Sequence, residues 1–418
     1  IVGTIFRPRN QKVGNEELEN WLSHHLDPPI DFDIFEKDIE GKHLVIISVD
    51  AARDRPVKFK NNEYIRIGSY KKKLADHPEK ERKIWSKGSS YSFENAIALE
   101  GLYDNEILDY LDWNKYYQLQ NQNYPTNFEV ILDQLLQDDL LVQEGNKYNI
   151  TNLGAILFAK DLKKFRRLER KAIRVIIYNG KNRTRTKHEQ IGKFGYASGF
   201  EGLIQYINDK LPTNEEIGIA LRSNIKVYPE IAIRELVANA LIHQNFEIKG
   251  AGPMIEIFDD RVEISNPGKP LIQPLRFIDH TPKSRNEKLA STMRRFSICE
   301  ERGSGIDKVI YAIELYQLPA PLFEEESEYV KVTLYLPIPF NKMKKIDRIR
   351  ACYQHCVLKY VSNDEMSNSS LRKRLKINKS NYPIASRIIS DTISEKLIKE
   401  KDPSNKSPKF TRYIPFWA

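Results

Sequence analysis

Glu235, Asn239 and His243 recur at steps of four in the stretch RELVANALIHQNF, residues 234–246. Residues four apart are neighbours on one helix face. The spacing therefore predicts a helix with an acid, an amide and an imidazole on one stripe. Leu236, Val237, Ala240 and Leu241 would turn away from it and pack. A carboxylate and an amide oxygen are hard donors that suit Mg²⁺, with Asn239 as the metal ligand. Glu235 could also orient or deprotonate a water, the one catalytic role these residues offer. Downstream, Gly303, Ser304 and Gly305 lead into an amphipathic helix, where backbone N–H groups can cradle phosphates. No GxxxxGK[ST] run occurs, so a P-loop is excluded. A polar stripe alone is usually solvated, and a GxG before a helix is usually a turn. Their order is more specific: stripe helix, two strands joined at Asp259–Asp260 and ending in Asn266–Pro267–Gly268, then the GSG helix.

The elements that must hold these residues are legible in outline. The chain has 418 residues, enough for two to four domains, with 40% hydrophobic and 29% charged residues. No run of eighteen apolar residues or signal peptide is visible, so no membrane partner and a cytoplasmic location are expected. The first residue is Ile1, and the natural chain is expected to begin upstream. Cys299, Cys352 and Cys356 make no disulfide framework, and buried thiols in a reducing compartment are the expectation. Residues 1–75 read as α+β, with a helix in EELENWLSHHL and a buried strand in HLVIISVDAA. Residues 76–92 are polar and breaker-rich and read as a linker. Residues 93–168 give helix, helix and short ribbon, the order of a winged helix. Residues 169–340 give a mixed α/β layer with helices on one face of a sheet.

Residues 341–418 hold 18 Lys and Arg against 7 Asp and Glu, a surplus of eleven, whereas the net charge of the whole chain is +9. A concentrated basic segment suits a polyanion-binding module. SSLRKRL opens with serine at an N-cap position, and YPIASRIISDTISEKLI follows as a helix with Ile384, Ile388 and Ile389 on its buried side. A turn-centred ribbon closes the chain. This is helix–turn–helix plus wing. Lys379, Ser380, Asn381, Ser386 and Arg387 would face a major groove, and Lys399, Lys401, Lys406, Lys409 and Arg412 would meet phosphates. DNA is the expected partner, with RNA an alternative. A protein-docking module and a plain structural cap remain open alternatives.

The phrases AIRELVANALIHQNF, IEIFDDRVEISNPG, SRNEKLA and EERGSGIDKV resemble the GHKL ATP-binding fold of gyrase, the heat-shock chaperone and histidine kinases. More closely, they resemble the degenerate GHKL-like domain of bacterial "RecG-like" transcriptional regulators. Residues 1–75, with PVKFKNNEYIRIGSYKKKL, resemble the second half of a Schlafen-type AlbA-like domain. The fold implied is α+β and multidomain: a partial AlbA-like domain, a winged helix, a GHKL-like α/β sandwich and a C-terminal winged helix. The resemblance implies ATP and Mg²⁺ as cofactors. Glu235 falls at the N-box base and Asn239 at its Mg²⁺ ligand. Asn266 and Gly268 fall in the adenine-contacting box, and Gly303, Ser304 and Gly305 in the phosphate loop. His243, one turn beyond the metal position, is either a structural ring or a further nucleotide contact. The usual adenine-binding aspartate is Asn266 here, whose carbonyl can still accept the bond without charge. The implied function is a nucleotide-modulated, nucleic-acid-binding transcriptional regulator with at most weak ATPase activity, and relatives of this type self-associate into homo-oligomers. Two alternatives stand beside it. One is a Schlafen-like nuclease in phage defence whose acidic cluster lies upstream. The other is a non-catalytic oligomeric scaffold.

Overall fold

The computed structural model describes residues 11–30, 32–39, 42–49, 55–82, 84, 92–217, 222–281, 283–299, 304–404 and 410–418. The chain divides into two compact units, Ile1–Ser92 and Phe93–Ala418. It mixes helices and strands in several sheets, an α+β architecture.

In the first unit, Phe32–Ile39 and Lys42–Val49 form an antiparallel hairpin, and Asn62–Ile67 pairs with the basic strand Tyr70–Lys73. The run HLVIISV is a strand but not a buried one. Ile47 and Val49 are 50% and 52% exposed. Continuous apolar sequence predicts burial on both faces; here the strand has one partner strand in a two-stranded sheet among the described residues.

The second unit begins with the strand Ile97–Leu102 and the helices Asp104–Tyr110, Trp113–Leu119 and Phe128–Gln137. The hairpin Leu141–Glu144 with Lys147–Thr151 completes a three-stranded sheet with the first strand. The central layer follows. Its strands are β1 (Arg174–Tyr178), β2 (Thr186–Ile191), β3 (Met254–Ile257), β4 (Arg261–Pro267), β5 (Leu322–Glu326) and β6 (Tyr329–Tyr335). Its helices are α1 (Tyr196–Lys210), α2 (Glu230–Ile242), α3 (Glu287–Arg295) and α4 (Gly305–Leu315). The sheet order is β2-β1-β3-β4-β6-β5, with β1 and β3 parallel and the other neighbours antiparallel.

Side chains alternate across a sheet. Ile255, Ile257, Val262, Ile264, Val332 and Leu334 thus enter one core together with α2 and α4. On the opposite face Glu256 and Glu263 lie directly across from each other, both buried. Arg183 bridges them at 2.7 and 3.0 Å, and Arg261 adds a 2.6 Å contact to Glu263. Adjacent buried carboxylates of like charge require such counter-ions.

The C-terminal part holds α5 (Lys345–Val361), α6 (Asn368–Arg374) and α7 (Tyr382–Ser394), then a ribbon of Ile398–Glu400 with Tyr413–Pro415. Ser367, two residues earlier than the sequence suggested, caps α6 in a reciprocal capping box with Ser370. Ile388 and Ile389 are buried as expected, but Ile384 is exposed and Ala385 takes the inward position. The amphipathic face is rotated by one residue because α7 starts with its first turn outside the core. Cys352 and Cys356 sit in this core, and burial pushes both thiols upward, Cys352 to about 12. The core also takes in Ile310 of α4, so the C-terminal part packs on the central layer.

Candidate nucleotide cleft

The helix carrying the stripe ends sooner than its sequence suggests. It runs from Glu230 to Ile242, with His243 as its C-cap. A helix end leaves carbonyls without intrahelical partners. Asn286, buried just before α3, donates its amide to the carbonyls of Ile242 (2.6 Å) and Gln244 (2.8 Å) and so fixes that end. Sequence reasoning gave Asn286 no role. Its only signal was its place in the quoted phrase SRNEKLA.

A cavity of about 680 Å³ opens between α2, α3, the start of α4 and the helix-side face of the sheet. Glu235, Asn239, His243, Asn266 and Gly305 all line it. Glu235 is buried, Asn239 half-buried, and Asn266 buried at the end of β4. Leu236 and Ala240, expected to turn wholly into the core, also line the cavity, while Val237 and Leu241 are buried in the core as expected. Only one residue separates the two faces of α2 there, so its small and apolar side chains form part of the wall. Ile264, Val330 and Val332 from the sheet give an apolar floor. A concave, mainly apolar site with a few convergent polar groups is the usual form of a small-molecule pocket.

Gly268 does not line the cavity but shapes its edge. Its φ is +109°, and a Cβ there would stand 2.7 Å from the Asn245 Cβ and 3.0 Å from Arg285 Nη1. Ser304 is the residue before α4 and makes no side-chain capping bond. Gly303 lies outside the described residues. Gly305, the first residue of α4, is buried and lines the cavity, so a helix N-terminus, the end that favours anions, forms part of its wall.

Dense protein surrounds His243, although its ring remains exposed in the cavity mouth. Burial first, and then the Arg285 charge, push its imidazole down to about 4. The ring is neutral at pH 7. The folded value lies below the unfolded one, near 6.5. The unfolded chain therefore binds this proton first as pH falls, and stability drops from about pH 6.5 downward while staying flat above it. Denaturant titrations at about pH 5 and about pH 7.5 are expected to show a smaller acid loss in His243→Gln than in the native chain. Equal losses would contradict the assignment.

The cavity's cations were not foreseen as site residues. Lys269, Lys283, Arg285, Lys288 and Arg294 line it, along with His280. The available signal was the basic density of PKSRNEKLASTMRR, residues 282–295.

Two walls of the cavity are tied to the flanking parts of the unit. Lys288 of α3 contacts Asp139 and Asn95, Arg295 pairs with Asp138, and the Leu289 amide donates to buried Glu94 at 2.6 Å. All four partners belong to residues 93–168. At the far end of α4, Glu314 accepts from His355 Nδ1 at 2.9 Å and stands 3.2 Å from Arg374 Nε.

In the C-terminal part, Lys379, Ser380, Asn381, Ser386 and Arg387 are exposed around the start of α7. Ser386 is engaged by the Asn368 amide at 2.9 Å. Lys399 is exposed and Arg412 half-buried on the ribbon. Lys401 is exposed on the ribbon and paired with Glu365. Lys406 and Lys409 lie outside the described residues. Among the described residues, no three His, Cys, Asp or Glu side chains gather as a metal cage, and no helix is long and apolar enough to cross a membrane.

Residues 250–334 match the family described as "Putative ATP-dependent DNA helicase recG C-terminal", and residues 1–75 match the family described as "Schlafen, AlbA_2". Both matches agree with the resemblance read from the sequence, and together they relate the chain to ATP and nucleic acid. No curated protein matches the chain. The crystal structure of the DIP2311 protein from Corynebacterium diphtheriae is similar at 16% identity, over 95% of this chain and 78% of that one, with a TM-score of 0.49.

Proposed function

We propose that the chain is a nucleic-acid-binding regulator whose central cleft binds a nucleotide and, through it, sets how the flanking modules are presented. One observation carries this reading. Residues from α2, the end of β4 and the start of α4, far apart in sequence, converge on one cavity whose walls are the elements that hold the two flanking modules.

In this reading, residues 93–168 and 341–418 are winged helices. The first has three helices and a hairpin closing on an earlier strand. The second has α6 and α7 followed by a ribbon. Exposed polar residues at the start of a recognition helix are those that reach base edges, while a wing meets phosphates. Lys379, Ser380, Asn381, Ser386 and Arg387 fill the first role, and Lys399 and Arg412 the second.

The apolar floor takes the base, with the Asn266 amide at its edge. Glu235 and Asn239 supply one carboxylate and one amide. That donor set fits Mg²⁺ only as an ion whose other ligands are phosphate oxygens and water. Bound there, the metal would offset phosphate charge beside Asn239. Glu235 is placed to orient a water, and the uncharged Asn266 makes weak turnover the expectation.

A ligand shifts an equilibrium only as far as it prefers one arrangement over another. Binding of a DNA duplex, followed by fluorescence anisotropy across a salt titration, is expected to shift by about fivefold or more when ATP is added. Affinity should also fall steeply with salt in both series. Superimposed curves with and without ATP would sink the coupling. Asn239→Ala is expected to abolish the shift, together with the ATP-dependent rise in melting temperature.

A further inference from the structure

The cleft carries more positive charge than a metal-assisted nucleotide needs. Among the described residues, five cations line it, Lys269, Lys283, Arg285, Lys288 and Arg294, against two carboxylates, Glu235 and Glu287. Lys288 alone among these cations is paired with a carboxylate among the described residues, and that carboxylate, Asp139, lies outside the cavity. Arg285 donates to a carbonyl, that of Lys269, at 2.5 Å. Burial lowers its pKa, a sign that its charge is not repaid by a neighbouring acid.

Like charges gathered in a concave cleft repel one another. Such a set is stable with a polyanion between its members and focuses anions toward it when empty. Arginine suits the role further, because its planar fork matches two phosphate oxygens at once. The cations come from the segment after β4 and from α3, whereas Ile264, Val330 and Val332 of the apolar floor come from the sheet. The apolar floor and the cations are thus supplied by different elements of one cavity wall. Its volume of about 680 Å³ leaves room for both ends of a nucleoside polyphosphate.

We infer that the cleft meets phosphate charge with its own lysines and arginines, so that it takes nucleoside polyphosphates without a divalent cation and grades them by phosphate number. The inference rests on the nucleotide reading and goes further by assigning the counter-charge. Magnesium then competes with the side chains for the same oxygens. The net change in ATP affinity is then no more than about threefold in either direction.

Isothermal titration of the full chain with ATP, ADP and AMP, first in EDTA and then with Mg²⁺, tests this. In EDTA, ATP is expected to bind most tightly, with a loss of about tenfold for each phosphate removed. Adding Mg²⁺ should tighten ATP binding by no more than about threefold. Lys283 is exposed and Arg294 is half-buried, so their substitution leaves the core intact. Lys283→Glu with Arg294→Glu should erase the grading while the melting transition persists. Lys269→Ala with Lys283→Ala, milder changes, should reduce it. ATP binding that appears only with Mg²⁺, or equal affinity for the three nucleotides in EDTA, overturns the inference and leaves the nucleotide reading standing. If no nucleotide binds in either buffer, both fall.

Discussion

Glu314→Ala is expected to cost about 3–5 kcal/mol of stability, among the largest effects of any single change in the second unit. The carboxylate lies at the interface between α4 and the C-terminal part. His355 donates to it at 2.9 Å, and the Arg374 guanidinium stands 3.2 Å away. Arg374 is 6% exposed and also donates to the Leu318 carbonyl at 2.7 Å. Burial already pushes its pKa down, and Glu314 is what opposes that shift. Removing the acid leaves a buried guanidinium without its counter-charge, which costs far more than the pair contributes when intact. Replacing both partners by apolar residues, Glu314→Leu with Arg374→Met, should recover most of the loss. Urea unfolding of the single and double variants measures this. A single variant within about 0.5 kcal/mol of the native chain would show that the dock does not depend on the charge. The functional consequence follows from geometry. Gly305 and Glu314 are nine residues apart on α4, about 14 Å along the axis. The helix that begins in the cavity wall therefore ends at this dock, and the double variant, folded but without the ionic clasp, is expected to lose the ATP-dependent change in DNA binding.

How far the sequence revealed this depended on the range over which each signal acts. The stripe on α2 was readable because a period of four is local, and Glu235 and Asn239 do face the cavity. The turn at Asp259–Asp260 was readable too, since short polar residues between two apolar runs leave few alternatives. The end of α2 was not. Nothing within LIHQNF stops a helix as sharply as the Asn286 amide, which arrives from 44 and 42 residues downstream to take the Ile242 and Gln244 carbonyls. The cation set was hidden for a similar reason. A basic segment reads as solvated surface until its side chains are seen to ring a cavity. Exposure errors had the opposite cause. HLVIISV and Ile384 are apolar enough to be core, but burial depends on what packs against a residue, and at Ile47, Val49 and Ile384 little does. The ion pair of Lys401 was not foreseen, because its acid, Glu365, is 36 residues away.

Gly268→Ala is expected to destabilise the central layer by about 2–4 kcal/mol and to remove the ATP-dependent rise in melting temperature. Two penalties coincide there. The φ of +109° is a conformation that a residue with a Cβ rarely adopts. The added carbon would also press within 2.7 Å of the Asn245 Cβ. Asn245 cannot yield easily, since its amide donates to the Pro267 carbonyl at 2.7 Å and its side chain accepts from the Glu247 amide at 3.0 Å. On the other side, the Gly268 amide donates to the Glu328 carbonyl at 2.5 Å, so the turn cannot retreat without giving up that bond. Displacing Asn245 shifts the chain that leaves α2 just after His243, and the same Cβ crowds Arg285 at the cavity mouth. Gly250→Ala separates the two penalties. Its φ of +71° is also positive, but nothing lies within 4 Å of the added carbon. Backbone strain alone should cost Gly250→Ala about 1 kcal/mol and leave the ATP response intact. If Gly268→Ala loses no more stability than Gly250→Ala and still responds to ATP, the close approach of the turn to Asn245 is not what sets the shape of the cleft.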